Sequence, residues 1–147
     1  MNTNAIQILL QDEPYFRGVY ACDQIPSEEY PIPYAMIVNT DPSYKSGEHW
    51  VSVFVPSFDV VEYFDPYGGR PMNEEIYRFI KMFRVKKYYN IRLQSYDIQS
   101  DTCGFFCILY VSCRCVGVQP NIFQEFFTKY PVINELLSQI YLALSIE

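Results

Sequence analysis

Residues 49–65 read His-Trp-Val-Ser-Val-Phe-Val-Pro-Ser-Phe-Asp-Val-Val-Glu-Tyr-Phe-Asp. Two runs rich in Val, Phe and Tyr, Trp50 to Val55 and Val60 to Phe64, are parted by Pro56, Ser57, Phe58 and Asp59. Such runs around a short turn read as paired strands. A hairpin sets the start of its first strand beside the end of its second, so it brings His49 and Asp65 within reach of each other. Upstream, Gly18 to Ala21 and Ala35 to Val38 also have strand character, and Asn4 to Gln11 puts Ile6, Leu9 and Leu10 on one helical face, with Thr3 or Asn4 as N-cap. Downstream, Asp65-Pro66-Tyr67-Gly68-Gly69 is a turn, and Asn73 can cap a helix carrying Ile76, Phe79, Ile80 and Phe83. Tyr88 to Leu93 returns to strand, a polar loop runs from Gln94 to Thr102, and the apolar run Gly104 to Val116 is too long for a typical strand and reads as a buried helix. Helical patterns over Pro120 to Phe127 and Pro131 to Ile146 complete an α+β reading, with helices packed on one mainly antiparallel sheet.

The chain has 147 residues, half of them apolar, which suits a single domain over 1–147 with one sizeable core. Acidic residues outnumber basic ones 17 to 11, and the only basic cluster is Arg84, Lys86 and Lys87. Nucleic acid is therefore not the expected partner. No apolar run approaches the roughly 20 residues of a membrane helix, and no signal peptide is evident, so a soluble intracellular protein is expected. Four of the five cysteines fall between Cys103 and Cys115, on one expected helix, where bridges are awkward and reduced thiols are the better reading.

The single histidine, His49, precedes the single tryptophan, Trp50. Alone, a histidine at a strand edge is more often structural than catalytic. Cys103, however, stands where the polar loop meets the apolar helix, and a helix N-terminus favours the ionised, nucleophilic form of a thiol. An imidazole accepts the thiol proton, and a carboxylate on the other ring nitrogen fixes its tautomer and orientation. Gly104 would allow close approach of substrate. The backbone N–H of Cys103 could receive an oxyanion, with the side chain of Gln94 or Gln99 as second donor. The bland alternatives are an inert buried thiol for Cys103, a turn-former for Asp65 and solvated loop residues for the glutamines. Cys107, Cys113 and Cys115 are expected to be inert thiols inside the helix, and the cysteine spacings do not match a zinc site.

These stretches resemble the adenovirus protease (adenain) family in one order along the chain. PYFRGVY is similar to its Pro-Tyr-Phe-x-Gly-x-Tyr, MIVNT and GEHW to its Ile-Val-Asn-Thr and Gly-x-His-Trp, YFDPYG to its acidic-Pro-aromatic-Gly turn, and SDTCGFFC to its Ser-x-x-Cys-Gly-x-Phe-Cys. More distantly, the series is similar to peptidases that release SUMO and other ubiquitin-like proteins. The resemblance implies a papain-like fold with the active-site parts in permuted order: His49 as base, Asp65 as the acidic member, Cys103 as nucleophile. Gln94 is preferred as the oxyanion residue and Gln99 is the alternative; they lie nine and four positions before Cys103, against six or seven in the family.

The function so implied is a viral or virus-like-element endopeptidase that processes virion precursor polypeptides, cutting after small residues such as Gly, in the host nucleus or cytoplasm and in the virion. A deconjugating isopeptidase and an inactive interaction module are the alternatives. No metal or small-molecule cofactor is expected. An activating peptide stays open, but a disulfide-linked peptide is not supported, since residues 88–93 hold no cysteine. A DNA cofactor is not supported either, given the net charge of -6.

Overall fold

The computed structural model describes residues 1–89 except 28, 46 and 48, residues 102–129, and positions 136, 140 and 143. Five strands form one sheet in the order β1-β2-β3-β4-β5: β1 (Phe16–Ala21), β2 (Tyr34–Asn39), β3 (Trp50–Ser57), β4 (Val60–Phe64) and β5 (Val85–Tyr89). The helices are α1 (Thr3–Leu10), α2 (Glu74–Ile80), α3 (Cys103–Cys115) and α4 (Pro120–Thr128), with a 3-10 turn at Cys22–Gln24. Leu136, Ile140 and Ala143, from the expected C-terminal helix, are helical; Leu136 and Ile140 are exposed.

The sheet is mixed rather than mainly antiparallel. β2 to β4 pair antiparallel as a meander, but β1 runs parallel to β2 and β5 parallel to β4. A parallel neighbour requires a crossover, and the segment carrying α2 supplies the one between β4 and β5. β5 also begins earlier than the sequence reading placed it. Val85 pairs with Val60, and the lysines of Val-Lys-Lys-Tyr-Tyr hide the strand signal on a half-exposed element.

Both faces of the sheet are covered, which is why β2 and most of β3 are buried at every position. Ala35, Ile37, Trp50, Phe54 and Phe64 face α1, α3 and α4; Met36, Val38, Val51, Val53, Val61 and Tyr63 face α2. On the α3 side, Phe64 stacks on Tyr110 with ring centroids 4.5 Å apart and meets Phe123 edge-on at 5.6 Å. This clamps α3 across the hairpin whose ends carry the polar residues singled out above. Glu62, 2% exposed, projects to the same side and accepts hydrogen bonds from Tyr110 Oη and from Arg114 Nε and Nη2, each at 2.8 Å.

Candidate active site

The hairpin has the register that its sequence required. Ser52 pairs with Phe64 and Val53 with Tyr63, so the residue before β3 and the residue after β4 lie at the same end of the sheet. His49 and Asp65 meet there, Nε2 to Oδ1 at 2.7 Å. Asp65 is also a turn-former. Its Oδ1 accepts the Tyr67 N–H at 2.8 Å and its backbone carbonyl accepts the Gly68 N–H at 2.7 Å. The turn thus fixes the same carboxylate that bonds to the imidazole. Gly69 comes close behind it: a Cβ there would stand 3.1 Å from Asp65 Oδ2.

With Nε2–H donated to Asp65, the remaining basic nitrogen of His49 is Nδ1. It is buried and has no well-formed hydrogen bond among the described residues. The Cys103 thiol is nevertheless near enough to act on the ring through hydrogen bonding and charge. Catalytic hydrogen bonds are often long or poorly aligned before substrate binds and tighten only in its presence. Burial opposes the imidazolium, but the Asp65 hydrogen bond, the Cys103 hydrogen bond and the charges of both groups outweigh it, and the His49 pKa is pushed up from 6.5 to about 9. The ring is therefore a cation at neutral pH.

Cys103 is the first residue of α3, and the Thr102 side chain makes no capping bond to the helix amides. Unpaired N–H groups at a helix start favour negative charge, on the sulfur or on an adjacent oxyanion. The other thiols of α3 differ. Burial pushes Cys107 well above the ordinary thiol value, aided by Cys103 and Asp65, and Cys107 instead donates to the Trp50 carbonyl at 3.4 Å. Burial also raises Cys113, and it raises Cys115 to about 11. These two are partly exposed rather than enclosed, because the last turn of α3 emerges from the core.

Gly104 plays a different part from the one expected. A Cβ there would meet Met1 at 3.3 Å and Trp50 Cδ1 at 3.4 Å, so its missing side chain makes room for packing by the protein itself. Trp50 Nε1–H in turn donates to the Met1 carbonyl at 3.2 Å. Sequence reasoning missed Tyr67, whose ring lies on the His49 imidazole with centroids 4.5 Å apart and planes at 30°. Its place inside a turn disguised it, although an aromatic two residues after the acidic one was part of the motif. Gln94 and Gln99 lie outside the described residues.

No protein-family model matches the chain. No curated protein matches it either. Among solved structures, the crystal structure of ASFV pS273R protease superimposes on 88% of this chain with a TM-score of 0.58 and 19% sequence identity. The shared fold is a protease fold. It bears out the α+β architecture, and this chain spans 65% of the length of that protease. A selenomethionine crystal form under the same name aligns over 67% of this chain and 42% of its own length, with a TM-score of 0.45 and 27% identity. No helix among the described residues is long and apolar enough to cross a membrane.

Proposed function

We propose that this chain is a cysteine endopeptidase of a virus or virus-like element, with Cys103 as nucleophile, His49 as base and Asp65 as the group that orients the base. One observation carries the reading. The chain's only imidazole is bonded to a carboxylate at 2.7 Å on one side and coupled to a helix-start thiol on the other, in a protease fold. A structural histidine has no need of both partners.

In the proposed cycle the Cys103 thiolate attacks the scissile carbonyl carbon, and the carbonyl oxygen takes up the negative charge. The Cys103 N–H receives that oxyanion, with Gln94 or Gln99 as second donor. The C–N bond then breaks, the imidazolium gives its proton to the leaving amine, and a thioester remains. Water attacks the thioester, His49 takes the water proton, and cleavage of the C–S bond frees the acid and restores the thiolate–imidazolium pair. Asp65 holds Nε2–H throughout, so Nδ1 always points to the chemistry.

The proposed substrates are virion precursor polypeptides cut after small residues such as Gly. In a peptide-cleavage assay, a Gly-Gly-containing peptide should be hydrolysed by the wild-type chain and left intact by Cys103→Ala, a loss on the order of a millionfold in kcat, as for other nucleophile deletions. Turnover that survives the substitution would overturn the assignment. A ubiquitin or SUMO probe with a C-terminal fluorophore, processed far faster than the peptide, would replace the endopeptidase with an isopeptidase.

A further inference from the structure

Asn73 bonds in two directions from one side chain. Its Oδ1 accepts the Ile76 N–H at 3.0 Å and so caps α2. Its Nδ2–H donates to the carbonyl of Thr40 at 2.8 Å, a residue 33 positions earlier. Thr40 is the first residue beyond β2, and its own N–H donates to the His49 carbonyl at 2.8 Å, closing the loop that returns to β3. The neighbouring Asn39 stiffens the same loop. Its Oδ1 accepts the Asp41 N–H at 2.8 Å, and its amide nitrogen lies 2.9 Å from where a Cβ on Gly47 would stand. Gly47 has φ +93°, a conformation that suits glycine, and it comes two residues before His49. Asn73 itself is the last residue of the segment that runs from Asp65, just after β4, to α2.

We propose that Asn73 is a positioning residue that ties the loop carrying His49 to the segment carrying Asp65. Capping alone explains only half of its contacts. Ser, Thr, Asp and Asn all serve as N-caps, but an amide offers an acceptor to α2 and a donor to Thr40 at once, and a carboxylate has no donor to give. Asn73→Asp therefore keeps the cap and removes the tie, whereas Asn73→Ala removes both. The kinetic part of the test rests on the protease reading; the spectroscopic part does not.

The chain's single histidine makes the ring directly observable by NMR titration. Asp65 and Cys103 are the titratable groups that act on it, and Tyr67 stacks on its face. In Asn73→Asp the His49 resonances should move and its pKa fall toward 6.5, while kcat on the Gly-Gly peptide drops by about tenfold to a hundredfold with KM little changed. Asn73→Ala should show the same kinetic loss together with a lower thermal midpoint. An Asn73→Asp variant with wild-type His49 resonances and titration would overturn the tie, leaving Asn73 a helix cap only. Should the wild-type chain cleave no peptide, the titration alone decides the tie, and the protease reading falls separately.

Discussion

Two carboxylates three residues apart, Glu62 within β4 and Asp65 just beyond it, both bond to a cationic partner, and they differ in everything else. Glu62 faces Arg114 in the core, with side chains 3% and 8% exposed, and both of its oxygens accept hydrogen bonds. The guanidinium carries a charge that does not titrate in the working range, and its remaining Nη1–H donates to the Val118 carbonyl. Every nitrogen of the guanidinium and both oxygens of the carboxylate carry a hydrogen bond. Asp65 faces His49, whose charge does titrate and whose second nitrogen is turned to a thiol. A saturated pair with a fixed charge holds α3 on the sheet; a titratable pair with a spare nitrogen can move a proton. One strand and the residue just after it supply both, and the choice of partner distinguishes them.

Of the two pairs, the titratable one should cost the more activity when broken. Asp65→Asn keeps the size of the side chain but removes the charge that holds the imidazolium, and kcat should fall by about a hundredfold to ten-thousandfold, with the fold intact by circular dichroism. The same variant sharpens the sign of the pH dependence. His49 has a pKa raised above its ordinary 6.5 to about 9, so its protonation stabilises the folded chain fully below 6.5, and that contribution fades as pH rises through 9. The alkaline limb of kcat/KM should therefore lie near pH 9 in the wild type and at lower pH in Asp65→Asn. An unmoved limb would mean that Asp65 does not hold the imidazolium.

Breaking the saturated pair should act on stability instead. Glu62→Ala strands a buried guanidinium and should cost about 3–5 kcal/mol in denaturant unfolding. Folded Glu62→Ala molecules should keep the His49 pKa near 9, because the two pairs share a strand and no atom. The smallest effect is expected at Tyr67. Tyr67→Leu removes an aromatic face from the imidazolium, a contact worth about 0.5–2 kcal/mol, and should lower the His49 pKa by a measurable margin in the same NMR titration. A Tyr67→Leu ring that titrates as in the wild type would reduce the stacking to mere packing.

The hairpin was legible because strand runs, turn residues and the positions of His49 and Asp65 at its two outer ends are all local features. So were the cap at Asn73 and the placement of Cys103 at a helix start, since polar-to-apolar boundaries mark helix ends. The mixed strand directions were not, because parallel pairing follows from how a crossover segment packs and not from the strand it delivers. Nor was the role of Gly104, whose packing against Met1 and Trp50 joins residues from three distant parts of the chain.

By itself, then, the sequence determined which groups are present and at which element ends they stand: one imidazole, a carboxylate in a turn, a thiol at the head of an apolar helix. Only the tertiary structure decided which ring nitrogen faces which partner, which carboxylate is spent on holding the helix, and that Tyr67 covers the ring. Those outcomes depend on distances of a few ångströms between segments far apart along the chain, where hydrogen-bond geometry and burial set the chemistry and neither propensity nor spacing carries the information.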